Sequence, residues 1–399
     1  MAIKLADRVT SMAESATLAM AAKAREFKAK GIDVISLSLG EPDFKTPKHI
    51  QEGAKEAIDS GKYFGYPPVN GYADLREAIA NKLKTENNIE SNPEQIVVSN
   101  GAKQSLANLF QAIINPGDEV IIYAPYWVSY EALVELAGGV PVYITGELEN
   151  EYKASAQQLK DAITEKTKAV IFSSPCNPTG SVFTEEELNE MADVLKGHPD
   201  IIAIADEIYE LINYTGKHVS LASIDGMVDR TVTVNGFAKG FAMTGWRVGY
   251  LSAPIQIAKA CNKIQGQLTS ANCSIAQRAA LTALTTDLGP SKEMAAEYLR
   301  RRDFVYELLN DLPGFKTNIP KGAFYFFPDV SYYFGKSDGN KTINNSSDLA
   351  MYILEEAHVS TVAGEAFGLP TSIRLSYAAS EEELREAVKR MKVALAKLH

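Results

Sequence analysis

Residues 168–180 read KAVIFSSPCNPTG, an apolar run that ends in serine, proline, asparagine and glycine. The same pattern returns at 201–209, IIAIADEIY, and at 231–239, TVTVNGFAK. An apolar run without polar alternation is typical of a strand buried on both faces, as in a parallel sheet. These stretches therefore predict strands of one such sheet, each followed by polar residues at its carboxyl end.

Further runs of this kind extend the prediction along the chain, and the predicted strands lie at 95–99, 119–124, 168–173, 201–205, 231–234 and 248–252. Helical patterns separate several of them, for example at 102–114 and 184–195. Strands that alternate with helices indicate an α/β fold with a mostly parallel sheet covered on both faces. Such sheets bind ligands at the carboxyl ends of their strands. A single site is therefore predicted from 99–102, 174–180, 206–209 and 235–239, although each could instead be an ordinary turn.

The character of the chain changes after about residue 290. A long charged helix is predicted at 291–312, followed by further alternation of helix and strand. We interpret residues 47–290 as a large ligand-binding domain and residues 291–399 as a smaller α/β domain, which the N-terminal segment 1–46 completes.

The composition is that of a globular protein. Of 399 residues, 46% are hydrophobic and 23% charged, and the formal net charge is −10. This excludes a disordered or fibrous chain. The acidic balance argues against a general polyanion-binding surface but permits a local basic pocket for a small anion.

Cysteine usage and the N-terminal sequence bear on location. Cys176, Cys261 and Cys273 form no CxxC pair, so neither a disulfide framework nor a metal site is predicted, and a reducing compartment is the default. The N-terminal sequence has no continuous apolar segment typical of a signal peptide. No apolar run reaches the roughly 20 residues that span a bilayer. We therefore expect a soluble, cytoplasmic protein without membrane or nucleic-acid partners.

Lys239 is the first candidate for chemistry. It follows a predicted strand and Asn235–Gly236, in a loop rich in glycine and apolar residues. A lysine that reacts with a carbonyl group must be partly desolvated, so that a neutral fraction exists at neutral pH. An isolated lysine here would more often be an exposed residue at a helix start. Arg247 suits a phosphate, because its planar fork donates two parallel hydrogen bonds; a structural ion pair is the alternative.

The segment SNGAKQ at 99–104 predicts an anion site at a helix N-terminus. The first turn of a helix offers unpaired N–H groups to a phosphate, and Gly101 permits close approach of the backbone. The segment lacks the first glycine of a nucleotide-binding P-loop, which excludes that interpretation.

Five further residues suit a flat aromatic cofactor and an acidic substrate. A carboxylate at Asp206 could keep a pyridine nitrogen protonated, although an acid at a strand end is also a common helix N-cap. Tyr209 and Asn177 could reach a ring oxygen, but Asn-Pro by itself usually marks a turn. Trp127 could stack on a ring or fill the core. Arg374 lies between apolar residues, and a buried charge there needs an anionic partner.

Together these segments resemble the class I, fold-type I aminotransferases that depend on pyridoxal 5′-phosphate (PLP), and within them the bacterial aspartate aminotransferase subgroup. The resemblance covers nearly the whole chain. It rests on motifs that follow one another in the family's order, namely SLGEPDF at 38–44, YPPVNG at 66–71, PYWVSY at 125–130, NPTG at 177–180, DEIY at 206–209, AMTGWRVGY at 242–250 and RLSY at 374–377. It implies a large domain with a mostly parallel seven-stranded sheet, a smaller α/β domain, and a homodimer with active sites at the subunit interface.

The resemblance also implies roles for individual residues. Lys239 would bind PLP covalently and later move the proton, while Asp206 would pair with the pyridine nitrogen. The ring oxygen would be held by Asn177 and Tyr209, with Trp127 stacked on the ring. The remaining roles are phosphate binding by Arg247, Gly101, Ala102 and the partner's Tyr66, and binding of the substrate α-carboxylate by Arg374, Asn177 and Gly40.

Lys103, Ser15 and Thr17 bear on the substrate. In the subgroup these positions are associated with the distal carboxylate of aspartate or glutamate, and a cation near the site favours a second carboxylate. One departure concerns the phosphate, because Ala238 and Gly236 stand where the family often has serine. The phosphate would then depend more on Arg247 and on backbone amides.

The implied reaction is ping-pong transamination of L-aspartate and 2-oxoglutarate to oxaloacetate and L-glutamate, with Lys239 as the general base. The same site could act on prephenate or serve another amino-acid aminotransferase. It could also support another PLP reaction, such as β-elimination or cyclopropane synthesis. A non-catalytic PLP-binding regulator is disfavoured, because such proteins carry an added DNA-binding domain.

Overall fold

The computed structural model describes residues 3–10 and 12–399. Its strands are β1 Ile35–Ser36, β2 Ile96–Ser99, β3 Glu119–Ala124, β4 Val140–Thr145, β5 Thr167–Ser173, β6 Ile202–Asp206, β7 Thr231–Gly236, β8 Gly249–Ser252, β9 Tyr325–Phe326, β10 Val359–Ser360, β11 Val362–Ala363 and β12 Ile373–Ser376. The helices are α1 Asp7–Thr10, α2 Ala16–Ala29, α3 Lys48–Asp59, α4 Ala73–Asn87, α5 Ala102–Ile113, α6 Ser129–Leu136, α7 Ala156–Ala162, α8 Glu185–Lys196, α9 Ile255–Leu268, α10 Ser274–Thr285, α11 Gly289–Asn310, α12 Ser346–Tyr352 and α13 Glu381–Leu395.

Seven strands form one sheet in the order β2-β8-β7-β6-β5-β3-β4. All neighbouring pairs are parallel except those that include β8, which is antiparallel to both β2 and β7. The predicted α/β fold with a mostly parallel seven-stranded sheet is confirmed. Strand β4 was not among the runs predicted from the sequence. It is an edge strand that contains Pro141 and is only partly buried, so its pattern differs from the continuous apolar runs of the central strands.

The register of the central strands explains why the polar segments meet. Ser173 at the end of β5 pairs with Asp206 at the end of β6, and Asp206 pairs with Val234 of β7. Parallel strands in register leave the sheet at the same edge. The segments that follow β5, β6 and β7 therefore start side by side.

The helix boundaries follow from capping chemistry. The predicted helix at 184–195 is observed as α8, because Thr184 caps it and forms a capping box with Glu187. The predicted helix at 291–312 is observed as α11, which begins at Gly289 and ends at Asn310. Differences of one or two residues at helix ends reflect frayed terminal turns.

The C-terminal part contains a three-stranded antiparallel sheet in the order β11-β12-β9. Strand β1 pairs with β10 in parallel, and Ile35 and Leu37 pack into the same apolar cluster as most of the buried side chains beyond Met294. The domain boundaries at residues 46 and 290 stay a prediction. Of the predicted segment 1–46, residues 1, 2 and 11 lie outside the described part. Across residues 3–10 and 12–399, none of the helices has the length and apolar character that crossing a membrane requires.

Candidate active site

A cavity of about 700 Å³ opens at the carboxyl edge of the large sheet. Its walls come from the segments after β5, β6 and β7, from the start of α5, and from β12 of the smaller sheet. Every predicted site residue except Tyr66 lines it: Ser15, Thr17, Gly40, Gly101, Ala102, Lys103, Trp127, Asn177, Asp206, Tyr209, Lys239, Arg247 and Arg374.

Lys239 stands in the turn that follows β7. Its Nζ donates a hydrogen bond to the backbone carbonyl of Gly40 and lies 5.6 Å from the centroid of the Tyr209 ring. No carboxylate of the described residues forms an ion pair with it. Burial, together with the positive charge of Arg374, lowers the pKa of Lys239 to about 8. A neutral fraction of the amine is therefore available near neutral pH to attack a carbonyl or accept a proton.

Asp206 is the last residue of β6 and is buried. Its Oδ2 accepts a hydrogen bond of 2.7 Å from the Tyr130 hydroxyl, and its Oδ1 accepts one of 3.3 Å from the Ile208 amide. Burial raises the pKa of Asp206 to about 6, against the opposing effect of Tyr130. A buried carboxylate without a cationic partner in contact is suited to a positively charged group of a bound molecule.

Tyr209 and Tyr325 form a hydroxyl pair in the cavity wall, with their oxygens 2.6 Å apart. Burial raises the pKa of both hydroxyls, so both stay protonated at neutral pH. One proton forms the hydrogen bond within the pair, which leaves the other hydroxyl proton for a third group. Tyr325 belongs to β9, so this bond joins the large-sheet edge to the smaller sheet. A Cβ on Gly40 would lie 2.3 Å from the Tyr325 oxygen, and therefore glycine is required there.

Arg374 on β12 is buried, with 2% of its surface exposed. Its Nη1 donates to Asn177 Oδ1 at 2.9 Å, and its Nη2 donates to the Ser38 carbonyl at 2.6 Å. Its guanidinium lies 4.5 Å from the centroid of the Tyr325 ring. It has no carboxylate partner among residues 3–10 and 12–399, and its Nε has no hydrogen-bond partner there. An unneutralised buried guanidinium at a cavity wall is a receptor for an anion.

A second anion receptor lies at the start of α5. Gly101 is the N-cap, with φ of +81°, and the N-terminal amides of the helix lie beside Arg247. A Cβ at Gly101 would approach Arg247 Nη2 to 2.5 Å, and the φ of +81° is one that other residues rarely adopt, so glycine suits this position beside the guanidinium. Arg247 is held by its Nη1, which donates to the Thr244 carbonyl at 2.9 Å. A helix N-terminus beside a guanidinium is suited to a phosphate.

Lys103 is another basic side chain in the cavity, in addition to Lys239, Arg374 and Arg247. Its Nζ lies 4.9 Å from the centroid of the Trp127 ring, and burial lowers its pKa, as does the nearby charge of Arg247. Ser15 and Thr17 bring hydroxyls to the same cavity, and Ser15 makes no side-chain hydrogen bond to the helix that it precedes.

Tyr66 is the one predicted site residue that does not line the cavity. Its side chain is 97% exposed. Within one chain it therefore has no part in the walls of the cavity.

Two cavity residues were missed by the sequence analysis as contributors, Tyr130 and Tyr325. Tyr130 lies in the first turn of α6 and Trp127 in the segment before it, and their rings meet edge to face with centroids 5.6 Å apart. The signal that could have found Tyr130 is the motif PYWVSY at 125–130, which contains both residues. Tyr325 lies in the run GAFYFF, where consecutive aromatic residues hide which of them reaches the cavity.

Comparison with known proteins places this site in context. The family model described as aminotransferase class I and II matches residues 32–391. The aspartate aminotransferase of Bacillus subtilis is 46% identical over 392 residues, which cover 98% of this chain and 98% of that protein.

Two further relatives extend the comparison. A bifunctional aspartate aminotransferase and glutamate/aspartate-prephenate aminotransferase of Petunia hybrida is 45% identical over 398 residues, covering 98% of this chain and 83% of that protein. The solved structure of the Thermus thermophilus aspartate aminotransferase with maleate matches with a TM-score of 0.92 and 42% identity, covering 98% of this chain and 100% of that one.

Proposed function

The chain belongs to the class I and II aminotransferases, and on that premise we propose that it transfers the amino group of L-aspartate to 2-oxoglutarate, giving oxaloacetate and L-glutamate. It is a PLP-dependent aminotransferase. The choice of aspartate, and the role of each residue, are the proposal.

The residues of the cavity fit PLP. The glycine cradle between Arg247 and the start of α5 suits the phosphate, because a Cβ at Gly101 would fill that space. Buried Asp206, without a cation in contact, suits a protonated pyridine nitrogen. The amine of Lys239 suits the aldehyde, since its lowered pKa provides a neutral fraction.

When bound, PLP supplies an electrophilic aldehyde and a ring that takes up electrons. Asp206 would remain ionised beside the ring nitrogen, with Tyr130 donating a hydrogen bond to hold it in place. The free hydroxyl proton of the Tyr209–Tyr325 pair and the amide of Asn177 would hold the ring oxygen. Trp127 would cover one face of the ring.

Substrate is held at one end by Arg374, whose guanidinium lies in the cavity wall with Asn177 bonded to it. Two parallel hydrogen bonds from a planar guanidinium would fix the α-carboxylate and thereby orient the Cα–H bond. Lys239 would accept the Cα proton at its Nζ and return it at the end of the half-reaction, because an amine with a pKa of about 8 can both accept and release a proton near neutral pH.

The assignment of a dicarboxylic substrate rests on the number of positively charged side chains without an ion-pair partner in one cavity. Besides the reactive Lys239, three positively charged side chains line it, Arg247, Arg374 and Lys103, and across the described part of the chain none of the three forms an ion pair. One of these cations would bind the phosphate of PLP, and another would bind the α-carboxylate of the substrate. The third, Lys103, would bind the distal carboxylate of a dicarboxylic amino acid, with hydroxyls from Ser15 and Thr17.

Prephenate is a second candidate, because the Petunia relative is named for both activities. It also carries two carboxylates, so the same three cations would suit it. Prephenate is a 2-oxo acid and would replace 2-oxoglutarate as the amino acceptor. Competition between 2-oxoglutarate and prephenate, with aspartate as the donor in one assay, therefore separates a specific from a bifunctional enzyme.

We further propose a homodimer in which Tyr66 completes the phosphate site of the partner subunit. The 97% exposure of Tyr66 and the 72% exposure of Phe64 support this, since large side chains so exposed often mark an interface. Mixing inactive Lys239→Ala with Tyr66→Ala subunits tests it. Active hybrids with one intact site would support the shared site, whereas no gain in activity on mixing would contradict it.

The division into a large domain, 47–290, and a smaller one, 291–399 with 1–46, also remains a proposal. The pairing of β1 with β10 supports the assignment of the N-terminal segment to the smaller domain. A cytoplasmic location is proposed as well, which the three unpaired cysteines support.

Stopped-flow absorbance of the PLP-loaded protein mixed with aspartate alone tests the function. Conversion of the cofactor to its amine form with release of oxaloacetate in the wild type, and none in Lys239→Ala, is expected. A PLP absorbance band that does not change with aspartate but changes with other amino acids would support the cofactor assignment and contradict aspartate as the substrate.

A further inference from the structure

A group of buried charges lies directly behind the active site and is not used by the reaction. We name Lys82, Glu207, Glu210 and His218 the buried charge cluster; 2% of Glu207 and 8% of Lys82 are exposed. Lys82 Nζ bonds to Glu210 Oε1, and His218 Nε2 lies 3.0 Å from Glu207 Oε2. Charges are rarely buried away from solvent unless they are paired, so this group requires an explanation.

The two glutamates are the ends of a turn whose other residues face the cavity. The Glu210 amide donates to the Glu207 carbonyl at 2.9 Å, which closes the turn around Ile208 and Tyr209. Tyr209, Ile208 and the preceding Asp206 line the active-site cavity, whereas the carboxylates of Glu207 and Glu210 enter the charge cluster. One short segment thus has a catalytic face and a charged face.

Neutral side chains link the two glutamates into a closed network. The Ser220 hydroxyl donates to Glu207 Oε2 at 2.7 Å. The Asn87 amide donates to Glu210 Oε2 at 2.8 Å and to the Ser220 oxygen at 3.1 Å. Both ends of the turn are therefore fixed to α4 and to the loop before residue 221. These bonds satisfy Ser220 and both carboxylates, whereas the His218 ring meets Glu207 through the 3.0 Å ion-pair contact alone and has no directed hydrogen bond among the described residues.

The charge balance of the cluster depends on His218. Glu207 and Glu210 carry two negative charges against one on Lys82, so the cluster is neutral only when His218 is protonated. Burial alone would lower the pKa of His218, but the adjacent Glu207 carboxylate more than reverses this, and the net direction is upward. Burial would likewise raise the pKa of Glu210, but Lys82 and His218 hold it below its ordinary value. Glu86 and Tyr250 are the other titratable groups that face the cluster.

We propose that the buried charge cluster is a positioning device, in which His218 neutralises Glu207 so that the turn 207–210 holds Asp206 and Tyr209 in place against the cofactor. The inference rests on the proposed function. Carboxylates with an imidazole are also groups that bind divalent cations, but the ammonium of Lys82 already supplies the positive charge beside Glu210.

The test compares His218→Gln with the double variant Glu207→Gln/His218→Gln in the PLP-loaded protein. The single variant leaves one uncompensated buried carboxylate, and the double variant restores neutrality. His198→Gln is the matched control, because His198 lies outside the cluster and in the described structure its side chain makes no hydrogen bond.

Three readouts are measured: the pH at which the absorbance of bound PLP titrates, kcat and KM for aspartate, and the melting temperature as a function of pH. His218→Gln is expected to shift the absorbance midpoint and to lower kcat by about tenfold with little change in KM, because displaced catalytic groups slow the chemical step. The double variant is expected to recover most of both effects.

The stability readout has a definite sign. A His218 pKa that folding raises contributes stability fully below its ordinary value of 6.5, and this contribution is lost as pH rises through the folded value. The melting temperatures of wild type and His218→Gln should thus differ most below that pH and converge in alkaline buffer.

The outcomes separate the two proposals. If the wild type neither binds PLP nor transaminates, the proposed function fails, while the melting curves still test the cluster. If the wild type is active and His218→Gln titrates like His198→Gln, with only its melting temperature lowered, the positioning role is overturned. A stoichiometric divalent metal in the wild type that His218→Gln lacks would also overturn it, because the ion would then supply the neutrality.

Discussion

Two lysines that are shielded from solvent lie on opposite sides of the turn 207–210, and their surroundings differ. Lys82 is bonded to Glu210 and to Asn87 Oδ1 within the buried charge cluster. Among residues 3–10 and 12–399, Lys239 has only the Gly40 carbonyl as a hydrogen-bond acceptor, and the positive charge of Arg374 disfavours its charged form. A buried lysine that is paired with a carboxylate is held in its charged form, and removing it leaves an unpaired buried charge, whereas a lysine without such a partner is available for chemistry.

The largest expected effect is on activity and tests the role of Lys239. Lys239→Ala removes the amine that would move the Cα proton, and kcat/KM for aspartate should fall by at least about 10³-fold. The free energy of unfolding should change little, because no ion pair is lost. Steady-state kinetics with urea unfolding measures both. Residual activity near that of the wild type would contradict the assignment of Lys239.

The second effect is on stability and tests the pairing of Lys82 with Glu210. Lys82→Met leaves Glu210 buried without its cation, which should lower the free energy of unfolding by about 3–5 kcal/mol. Adding Glu210→Gln in the same chain should recover much of that loss, since no charge is then left unpaired. If Lys82→Met unfolds at the same urea concentration as the wild type, the pairing contributes nothing.

A smaller effect tests whether Lys103 binds the substrate. Lys103→Ala should lower kcat/KM for aspartate by about 10–100-fold through loss of a charge-assisted contact, and should leave a monocarboxylic donor such as alanine nearly unaffected. Lys166→Ala, which removes an exposed lysine elsewhere on the surface, is the control. An equal loss of kcat/KM for both donors would mean that Lys103 does not bind the distal carboxylate.

The smallest effect concerns pH. Because the neutral amine of Lys239 is the reactive form, the rate at which PLP recombines with the cofactor-free protein should rise with pH through a midpoint of about 8. Glu41→Gln should move this midpoint downward, since the Glu41 carboxylate favours the charged amine. A midpoint near the ordinary lysine value of 10.5 would show that Lys239 is not desolvated.

The sequence predicted the cavity-facing side of the turn 207–210 but not its charged side. Asp206 and Tyr209 follow an apolar strand and belong to a family motif, so position alone singled them out. The charge cluster offered no such signal, because Lys82 lies 128 residues from Glu210 and each residue alone resembles an ordinary surface charge. The hydroxyl pair of Tyr209 and Tyr325, 116 residues apart, was hidden for the same reason.

The amino-acid sequence by itself determined the α/β fold, the mostly parallel sheet, and which residues end its strands, because apolar runs and turn residues act locally along the chain. It also pointed to Lys239 as the reactive amine. Only the tertiary structure decided that Lys239 has no carboxylate partner in the part of the chain that the structure describes, while Lys82 has one. It also decided that Arg374, Arg247 and Lys103 share one cavity. The reason is physical: the reactivity of a charged side chain depends on the solvent and the counter-charges that folding removes or supplies, and these come from distant parts of the chain.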